Sequence, residues 1–287
     1  MRIVSLLPSS TETLFAIGAG PQVVGVTHEC DFPIACAELP RLTSSALPAS
    51  GTPGEIDRHV RASVHAGSSL YHLDADLLER LQPDLIVTQE LCEVCAVSYA
   101  IVDRAARRLT PDSRLISLEP SSLEDVFANI AFLGELTGCV AGATAVLGDL
   151  RERVALLAAR ADTRTARPRT LVLEWTDPPM SGGHWTPGLV ELAGGVPVLG
   201  NPGANSVTLE WQQIAAADPD AIVIAPCGFN LEATQAAVEA LEALPLWTSL
   251  RAYREDRVFL MDGNAYLNRP GPRLVETAEI IAAMIHR

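Results

Sequence analysis

The chain has 287 residues, enough for two domains of ordinary size, and a hydrophobic content of 48% that can supply a core for each. This composition excludes a disordered chain. With 35 acidic and 21 basic residues, the formal net charge is −14. Such a charge repels phosphate backbones and anionic lipid surfaces and keeps proteins soluble, so we expect a monomer that does not bind nucleic acid.

The N-terminal segment does not have the pattern of a signal peptide. Its apolar run at residues 3–7 ends at Pro8 and is shorter than the stretch of about 7–15 residues that a signal peptide needs. No uninterrupted stretch approaches the roughly 20 apolar residues of a membrane-spanning helix. We therefore expect no membrane insertion. The location expected for the sequence as written is cytoplasmic, or periplasmic or extracellular if a leader precedes it.

The first half of the chain alternates predicted strands and helices. The apolar run at residues 3–7 predicts a strand, and the helix that follows ends in a glycine-containing turn. A helical pattern at residues 75–81 precedes a buried strand at 83–87, and a last strand is predicted at 114–118. This alternation is typical of an open, mainly parallel sheet.

The middle of the chain is predicted to be a stiff helical connection. Ser121 or Ser122 can cap its start, and the pattern stays helical over most of residues 121–164, with Gly138 as the one expected interruption. The segment is rich in Ala, Leu and Arg, whereas a flexible linker is rich in Gly and Ser. We therefore expect little hinge closure.

The second half repeats the first. One matching block pairs Thr11, Leu14, Ile17, Gly18 and Gly20 with Thr186, Leu189, Leu192, Ala193 and Gly195, and a second pairs residues 83–87 with 219–223. Internal repeats of this kind indicate two copies of one structural design. The predicted fold is α/β, with two similar Rossmann-like lobes whose sheets are mainly parallel, joined by a long α-helix. The lobes are expected at residues 1–120 and 165–287, with the connecting helix at 121–164.

The predicted ligand site lies in the cleft between the lobes, because ligands of open α/β sheets bind beyond the carboxyl ends of the strands. The loops expected there contribute Ser9, Ser10, Thr11, His28, Glu29, Gln89 and Glu90 from the first lobe, and Trp175, His184, Trp185, Asn205, Phe229, Tyr266 and Arg269 from the second. Broad aromatic rings beside amide and hydroxyl groups suit a large, flat or amphipathic small molecule.

Two parts of this site have alternative interpretations. The hydroxyls of residues 9–11 stand where a helix begins, so they either cap that helix, hold a ligand edge or do both. His184 either coordinates a metal centre within the ligand or makes a structural hydrogen bond.

Cysteines and a histidine in the same loops suggest a metal site. His28, Cys30, Cys92 and Cys95 provide the ligand types that zinc or another transition metal prefers. A Cys92–Cys95 redox pair or disulfide competes with this interpretation, and so do simple reduced cysteines. No cofactor is required by these patterns.

The sequence favours binding over catalysis. It contains no nucleophile elbow, no Walker loop and no Gly-x-Gly-x-x-Gly motif after a strand. We therefore expect no enzyme. The alternative is a chelatase-like enzyme, in which a cleft histidine and carboxylates transfer protons.

A family resemblance rests on three segments of the chain. They are residues 2–12 (Arg-Ile-Val-Ser-Leu-Leu-Pro-Ser-Ser-Thr-Glu) followed by Leu14 and Gly18, residues 24–27 (Val-Gly-Val-Thr) and residues 83–86 (Pro-Asp-Leu-Ile). The chain resembles, over nearly its whole length, the periplasmic-binding-like family (class III, helical backbone) whose members capture vitamin B12, iron–siderophores and haem. Residues 27–31 and 91–95 look most similar to the cobalamin-binding branch.

The resemblance implies a solute-binding protein that holds a corrinoid, such as vitamin B12, or a related metal chelate, such as haem. It also implies an ABC transporter permease as partner for import, whereas a cytoplasmic relative would handle the chelate inside the cell. Direct metal-ion binding through the cysteines and His28, and a chelatase-like enzyme, remain the alternatives.

Overall fold

The structure is a computed structural model that describes residues 1–47, 51–65, 70–89 and 99–287. Three of the expected site residues, Glu90, Cys92 and Cys95, lie outside the described residues. The chain forms two compact units. Unit 1 comprises Met1–Gly51, Glu55–Glu119 and Phe127–Gly148, and unit 2 comprises Thr52–Gly54, Pro120–Val126 and Asp149–Arg287. The lobe limits expected from the sequence stay a prediction.

Unit 1 is built on a parallel sheet. In chain order, the described strands up to residue 119 are β1 (Ile3–Ser5), β2 (Val23–Val26), β3 (Thr43–Ser45), β4 (Tyr71–Leu73), β5 (Leu85–Thr88) and β6 (Arg114–Ser117). The described α-helices of the same stretch are α1 (Pro8–Ala16), α2 (Pro53–His65), α3 (Ala75–Leu81) and α4 (Tyr99–Leu109). The sheet has the order β2-β1-β5-β6, whereas β3 and β4 form a separate antiparallel pair.

The core of unit 1 explains why these apolar runs become strands. Val4 and Ile86 on adjacent strands are fully buried and pack with Leu42 and Leu78. Strands covered on both faces are near-continuous runs of Val, Ile and Leu. Helix α3 begins where the Asp74 carboxylate accepts a hydrogen bond from the Leu77 N–H at 2.8 Å, which is an ordinary N-cap.

Two consecutive helices, α5 (Leu123–Thr137) and α6 (Val140–Asp162), occupy the predicted connecting segment. The predicted interruption at Gly138 is confirmed, since this residue has φ +72°, a conformation that glycine adopts without the strain of a Cβ. Ser122 is the cap of α5. Its hydroxyl accepts a hydrogen bond from the Asp125 N–H at 3.2 Å and donates one to the Asp125 carboxylate at 2.9 Å.

Unit 2 is also built on a parallel sheet. Its described strands are β7 (Arg169–Thr176), β8 (Pro179–Ser181), β9 (Gly183–His184), β10 (Val196–Pro197), β11 (Asn201–Pro202), β12 (Ala221–Ile224) and β13 (Val258–Leu260). Its helices after α6 are α7 (Thr186–Leu192), α8 (Trp211–Ala217), α9 (Leu231–Leu241), α10 (Pro245–Ser249), α11 (Arg251–Arg254) and α12 (Leu274–Ile285), with a π-helix at Gly263–Leu267. The core includes the fully buried Trp247.

The two units share one topology. Four strands of the central sheet of unit 2 have the order β10-β7-β12-β13, which matches that of unit 1 strand for strand, and all of these pairings are parallel. Strand β8 adds an antiparallel pairing to β7. In each sheet, an aspartate just before one strand accepts a hydrogen bond from the main chain at the start of the neighbouring strand. The aspartate precedes β5 in unit 1, next to β1, and precedes β12 in unit 2, next to β7. Asp84 accepts from the Arg2 N–H at 2.6 Å, and Asp220 from the Arg169 N–H at 2.7 Å. The predicted α/β fold of two similar lobes is confirmed.

The sequence repeat is out of register at one point. It pairs Gly18 with Ala193, whereas the residues with positive φ after α1 and α7 are Gly18 (φ +87°) and Gly194 (φ +84°). Helix α7 therefore runs one residue further than the repeat predicts before its glycine reverses the chain.

Among the described residues, no helix has both the length and the apolar character that crossing a bilayer requires.

Candidate functional site

The ends of β7 and β9 and the segments after β9, β12 and β13 carry the five aromatic side chains predicted for the ligand site of unit 2. We call Trp175, His184, Trp185, Phe229 and Tyr266 the aromatic wall; each of them is half-buried. The rings of Trp175 and Phe229 meet edge to face, with centroids 5.2 Å apart. The rings of His184 and Trp185 stack, with centroids 5.5 Å apart. Packing of this kind limits the motion of the rings while leaving part of each accessible.

The π-helix links the parts of the aromatic wall. The Trp185 Nε1–H donates to the Leu267 carbonyl at 2.9 Å, and the Asn264 N–H donates to the Phe229 carbonyl at 3.0 Å. Arg269 is buried, and its guanidinium donates to the Asn264 side chain at 3.1 Å. Arg269 therefore supports the π-helix, and its predicted contact with a ligand stays a prediction.

Tyr266 lies on the same π-helix. The guanidinium carbon of Arg273 lies 5.5 Å from the centroid of the Tyr266 ring, within the range of a cation–π interaction. This contact fixes the tyrosine from one side.

His184 has a backbone conformation, with φ +46°, that residues other than glycine rarely adopt. The loop leaves no room around its neighbour Gly183, where a Cβ would lie 2.5 Å from the Ser206 nitrogen and 2.6 Å from the Ala204 oxygen. Burial lowers the pKa of His184 from its ordinary value, although a hydrogen bond from its ring to the Asn205 side chain opposes the shift. The imidazole is therefore neutral at pH 7, and a ring nitrogen retains its lone pair.

Glu174 is a residue of this face that the sequence reasoning missed. Its carboxyl accepts hydrogen bonds from the Thr186 hydroxyl at 2.7 Å, from the Gly183 N–H at 3.3 Å and from the Ser206 hydroxyl. The only sequence signal is a glutamate within the otherwise apolar run of β7. An acid at such a position needs partners, because burying an ionisable group without them is costly.

The hydroxyls at the start of α1 bond to one another and to the main chain. Ser10 and Thr11 donate to the Leu7 carbonyl at 3.0 and 3.1 Å, and both contact the Ser5 hydroxyl, at 2.5 and 2.8 Å. The interpretation of these residues as helix caps is wrong, because the N-cap is Leu7, which makes no side-chain cap hydrogen bond. Ser9 is buried, as are Ser10 and Thr11. Ligand contact by these three residues stays a prediction.

His28 lies in a polar corner of unit 1. Its Nδ1 lies 2.7 Å from the Thr43 hydroxyl, its ring centroid 5.6 Å from that of Tyr71, and its Nε2 4.0 Å from the Glu29 carboxylate. Burial and the nearby Arg41 cation lower the pKa of His28. Its ring is therefore also neutral at pH 7. Gln89 is predicted to contact the ligand from the end of β5, where its side chain is 9% exposed.

Cys30 does not have the environment of a ready metal ligand. Its side chain is 1% exposed, and its sulfur lies 3.1 Å from the Thr11 hydroxyl. Burial raises the pKa of the thiol to about 12, so it stays protonated, whereas metals bind the thiolate. Within residues 1–47, 51–65, 70–89 and 99–287, no three His, Cys, Asp or Glu side chains form a group able to hold a metal ion. Cys92 and Cys95 lie outside these ranges, so the metal site predicted with His28 stays a prediction.

Two repeated α/β units that carry polar and aromatic loops beyond their strands define the class of solute-binding proteins. The chain belongs to the periplasmic binding protein family, which it matches over residues 3–265. The family and class predicted from the sequence are confirmed. The family consists of binding proteins, which agrees with the prediction that the chain is not an enzyme.

The chain is similar to characterised proteins along almost its entire length. A cobalamin-binding protein of Halobacterium salinarum is 27% identical over 289 residues, which cover 99% of this chain and 69% of that protein. The periplasmic vitamin B12 binding protein BtuF of Vibrio cholerae superposes with a TM-score of 0.71 at 20% identity, covering 99% of this chain and 96% of that one. The periplasmic haem-binding protein RhuT of Roseiflexus sp. RS-1, in its apo form, gives a TM-score of 0.73 at 22% identity, with coverages of 99% and 97%.

Proposed function

We propose that this protein binds a corrinoid, or a related metal chelate such as haem, against the aromatic wall and delivers it to an ABC-type importer. The observation that carries the proposal is the wall itself, five half-buried rings at one end of the unit 2 sheet. The names of relatives support it, since the Halobacterium protein is called cobalamin-binding and solved neighbours are called vitamin B12-binding and haem-binding.

The chemistry of the wall fits a flat macrocycle. An aromatic side chain offers about 150–250 Å² of contact area at low entropic cost, so Trp175, Trp185 and Phe229 suit the faces and edges of a corrin or porphyrin. The exposed Asn205 beside the ring of His184 offers an amide to polar groups at the rim of the ligand. His184 itself, neutral at pH 7, is able to coordinate the metal of the chelate.

Unit 1 by itself carries polar groups beyond its strands. His28 and Glu29 follow β2, and Gln89 follows β5, so all three lie beyond the carboxyl ends of parallel strands. Amide side chains on the periphery of a corrinoid need partners of this kind. Import requires the protein to meet its ligand outside the cytoplasmic membrane, so we propose a periplasmic or extracellular location and a transporter permease as partner.

The test is a titration of the purified protein with cobalamin and with haem, followed by calorimetry and absorbance. We expect at least one ligand to bind more tightly than about 100 μM, which corresponds to about −5.5 kcal/mol. Trp175→Ala should weaken that binding at least tenfold, because it removes a ring of the wall. Leu156→Ala is the matched control, since this side chain is 53% exposed on α6 and should leave binding unchanged.

Two results would contradict the proposal. One is the absence of binding by either ligand below about 100 μM. The other is binding that Trp175→Ala and Leu156→Ala affect equally, which would place the ligand away from the aromatic wall.

A further inference from the structure

Glu174 occupies an irregular position in strand β7. Where β7 pairs with β8, Leu173 lies opposite Ser181 and Trp175 lies opposite Met180, so Glu174 is an extra residue on its strand. Such a bulge redirects the side chains next to it and is common beside functional sites. Here it places a carboxyl directly before Trp175, the first residue of the aromatic wall.

The Glu174 carboxyl accepts hydrogen bonds from three residues of the segment 183–206. Gly183 precedes His184, Thr186 follows Trp185, and Ser206 follows Asn205; each donates a hydrogen bond to the Glu174 carboxyl. One side chain on the central sheet therefore holds both flanks of the segment that carries His184 and Trp185.

Main-chain hydrogen bonds hold the same segment: the His184 N–H donates to the Ala204 carbonyl at 2.7 Å, and the Gly203 N–H donates to the His184 carbonyl at 3.0 Å. The ladder between β9 and β11 has only two residue pairs, and most residues from 202 to 208 are exposed. The His184 backbone, at φ +46°, is in an unfavourable conformation, and such a conformation persists only where the surroundings impose it. The hydrogen bonds to Glu174 are part of those surroundings.

We propose that Glu174 is the positioning residue of the aromatic wall, fixing both ends of the segment of residues 183–206 so that His184 and Trp185 face the bound chelate. This inference rests on the proposed function for the identity of the ligand. Glu174 contacts the loop, and it acts on the ligand only through His184 and Trp185.

The pKa of Glu174 reflects the burial of its carboxyl among these partners. Burial raises the pKa of the carboxyl, against the hydrogen bonds from Ser206, Thr186 and Gly183, and no charged group among the described residues contributes to the shift. Thr186 and Gly183 donate to one carboxyl oxygen and Ser206 to the other. Glutamine has the same shape: its amide oxygen accepts from Thr186 and Gly183, and its amide N–H donates to the Ser206 hydroxyl, so Glu174→Gln should preserve the contacts.

The experiment compares Glu174→Ala, Glu174→Gln and the control Glu191→Ala, which removes an exposed carboxylate from α7. Cobalamin and haem are titrated against each variant, and hydrogen–deuterium exchange is measured without ligand. We expect Glu174→Ala to bind about tenfold more weakly and to exchange faster within residues 183–206, because three donors lose their acceptor. Glu174→Gln should bind within about threefold of the wild type, and Glu191→Ala should match the wild type.

The outcomes separate positioning from simple stability. Glu174→Ala with unchanged binding and unchanged exchange would overturn the proposal, and so would Glu174→Gln as weak as Glu174→Ala, since a rescue by the isosteric amide is required. If Glu174→Ala does not fold by circular dichroism, Ser206→Ala replaces it and should give a smaller loss in the same direction. If the wild type binds neither ligand, the proposed function fails, while faster exchange in Glu174→Ala would still support the positioning role.

Discussion

At the residue scale, the described cysteines differ in access. Cys30 and Cys36 are buried, whereas Cys227 is exposed. Burial raises the pKa of Cys30 to about 12 and also raises that of Cys36. Since the thiolate is the nucleophile, we expect iodoacetamide at pH 8 to label Cys227 before Cys30 and Cys36, and to label Cys30 only after unfolding. Peptide mass mapping over time, with and without urea, measures this, and fast labelling of Cys30 in the native protein would contradict the structure.

The pKa of His286 predicts a dependence of stability on pH. Burial lowers this pKa, as do the Arg164 and Arg257 cations, while the hydrogen bond to the Ala193 carbonyl opposes the shift. The unfolded histidine takes up its proton near pH 6.5, the folded one only at lower pH. The unfolded state therefore binds more protons in this window, and the free energy of unfolding falls as the pH drops below about 6.5.

The corresponding variant is His286→Gln. We expect its melting temperature to fall less than that of the wild type between pH 7.5 and 5.5. The comparison of variants is needed because His28 and His184 act in the same direction, whereas the raised pKa of Glu174 acts in the opposite one. NMR titration of the His286 ring is the direct check, and a pKa above 6.5 in the folded protein would show the sign to be wrong.

At the scale of elements, the break between α5 and α6 depends on one glycine. Gly138 has φ +72° and nothing within 4 Å of a Cβ built on it, and Gly148, in α6, has equally open space. Gly138→Ala should destabilise the protein by about 1 kcal/mol through its backbone conformation, whereas Gly148→Ala should stabilise it by about 0.5–1 kcal/mol through helix propensity. Urea denaturation measures both. Equal effects of the two substitutions would show that the conformation of Gly138 is not what breaks the helix.

At the scale of the whole molecule, the strands, the helices and their repeated order could be predicted from the sequence, whereas bulges, the π-helix and individual side-chain contacts could not. Strand and helix positions follow from local apolar periodicity, and the repeat assigned one topology to both halves. The rings of the aromatic wall were found because they lie at the carboxyl ends of strands or in the segments that follow them. The bulge at Glu174, the π-helix and the contacts of Ser5 with Ser10 depend on tertiary packing, which leaves no period in the sequence. For the same reason the sequence did not indicate the contact of Arg269 with Asn264 of the π-helix.

The repeat also predicts that replacing the corresponding aspartate of each unit destabilises the sheet of that unit. Asp84 accepts a hydrogen bond from the main chain at the start of β1, and Asp220 accepts one from the main chain at the start of β7. Asp220 also pairs with Arg251 at 2.6 Å. Removing one such acceptor should cost about 1 kcal/mol. Asp220→Ala should cost somewhat more than Asp84→Ala, although the partly exposed ion pair adds little.

The location of the effect distinguishes the two variants. Hydrogen–deuterium exchange should become faster in β1 and β5 for Asp84→Ala, and in β7 and β12 for Asp220→Ala, since the partners of each carboxylate belong to its own unit. Asp112→Ala, an exposed carboxylate near β6, is the control and should change neither region. Faster exchange in both sheets from a single substitution would mean that the two units unfold together, whereas separate effects would show that each repeat is a cooperative unit of its own.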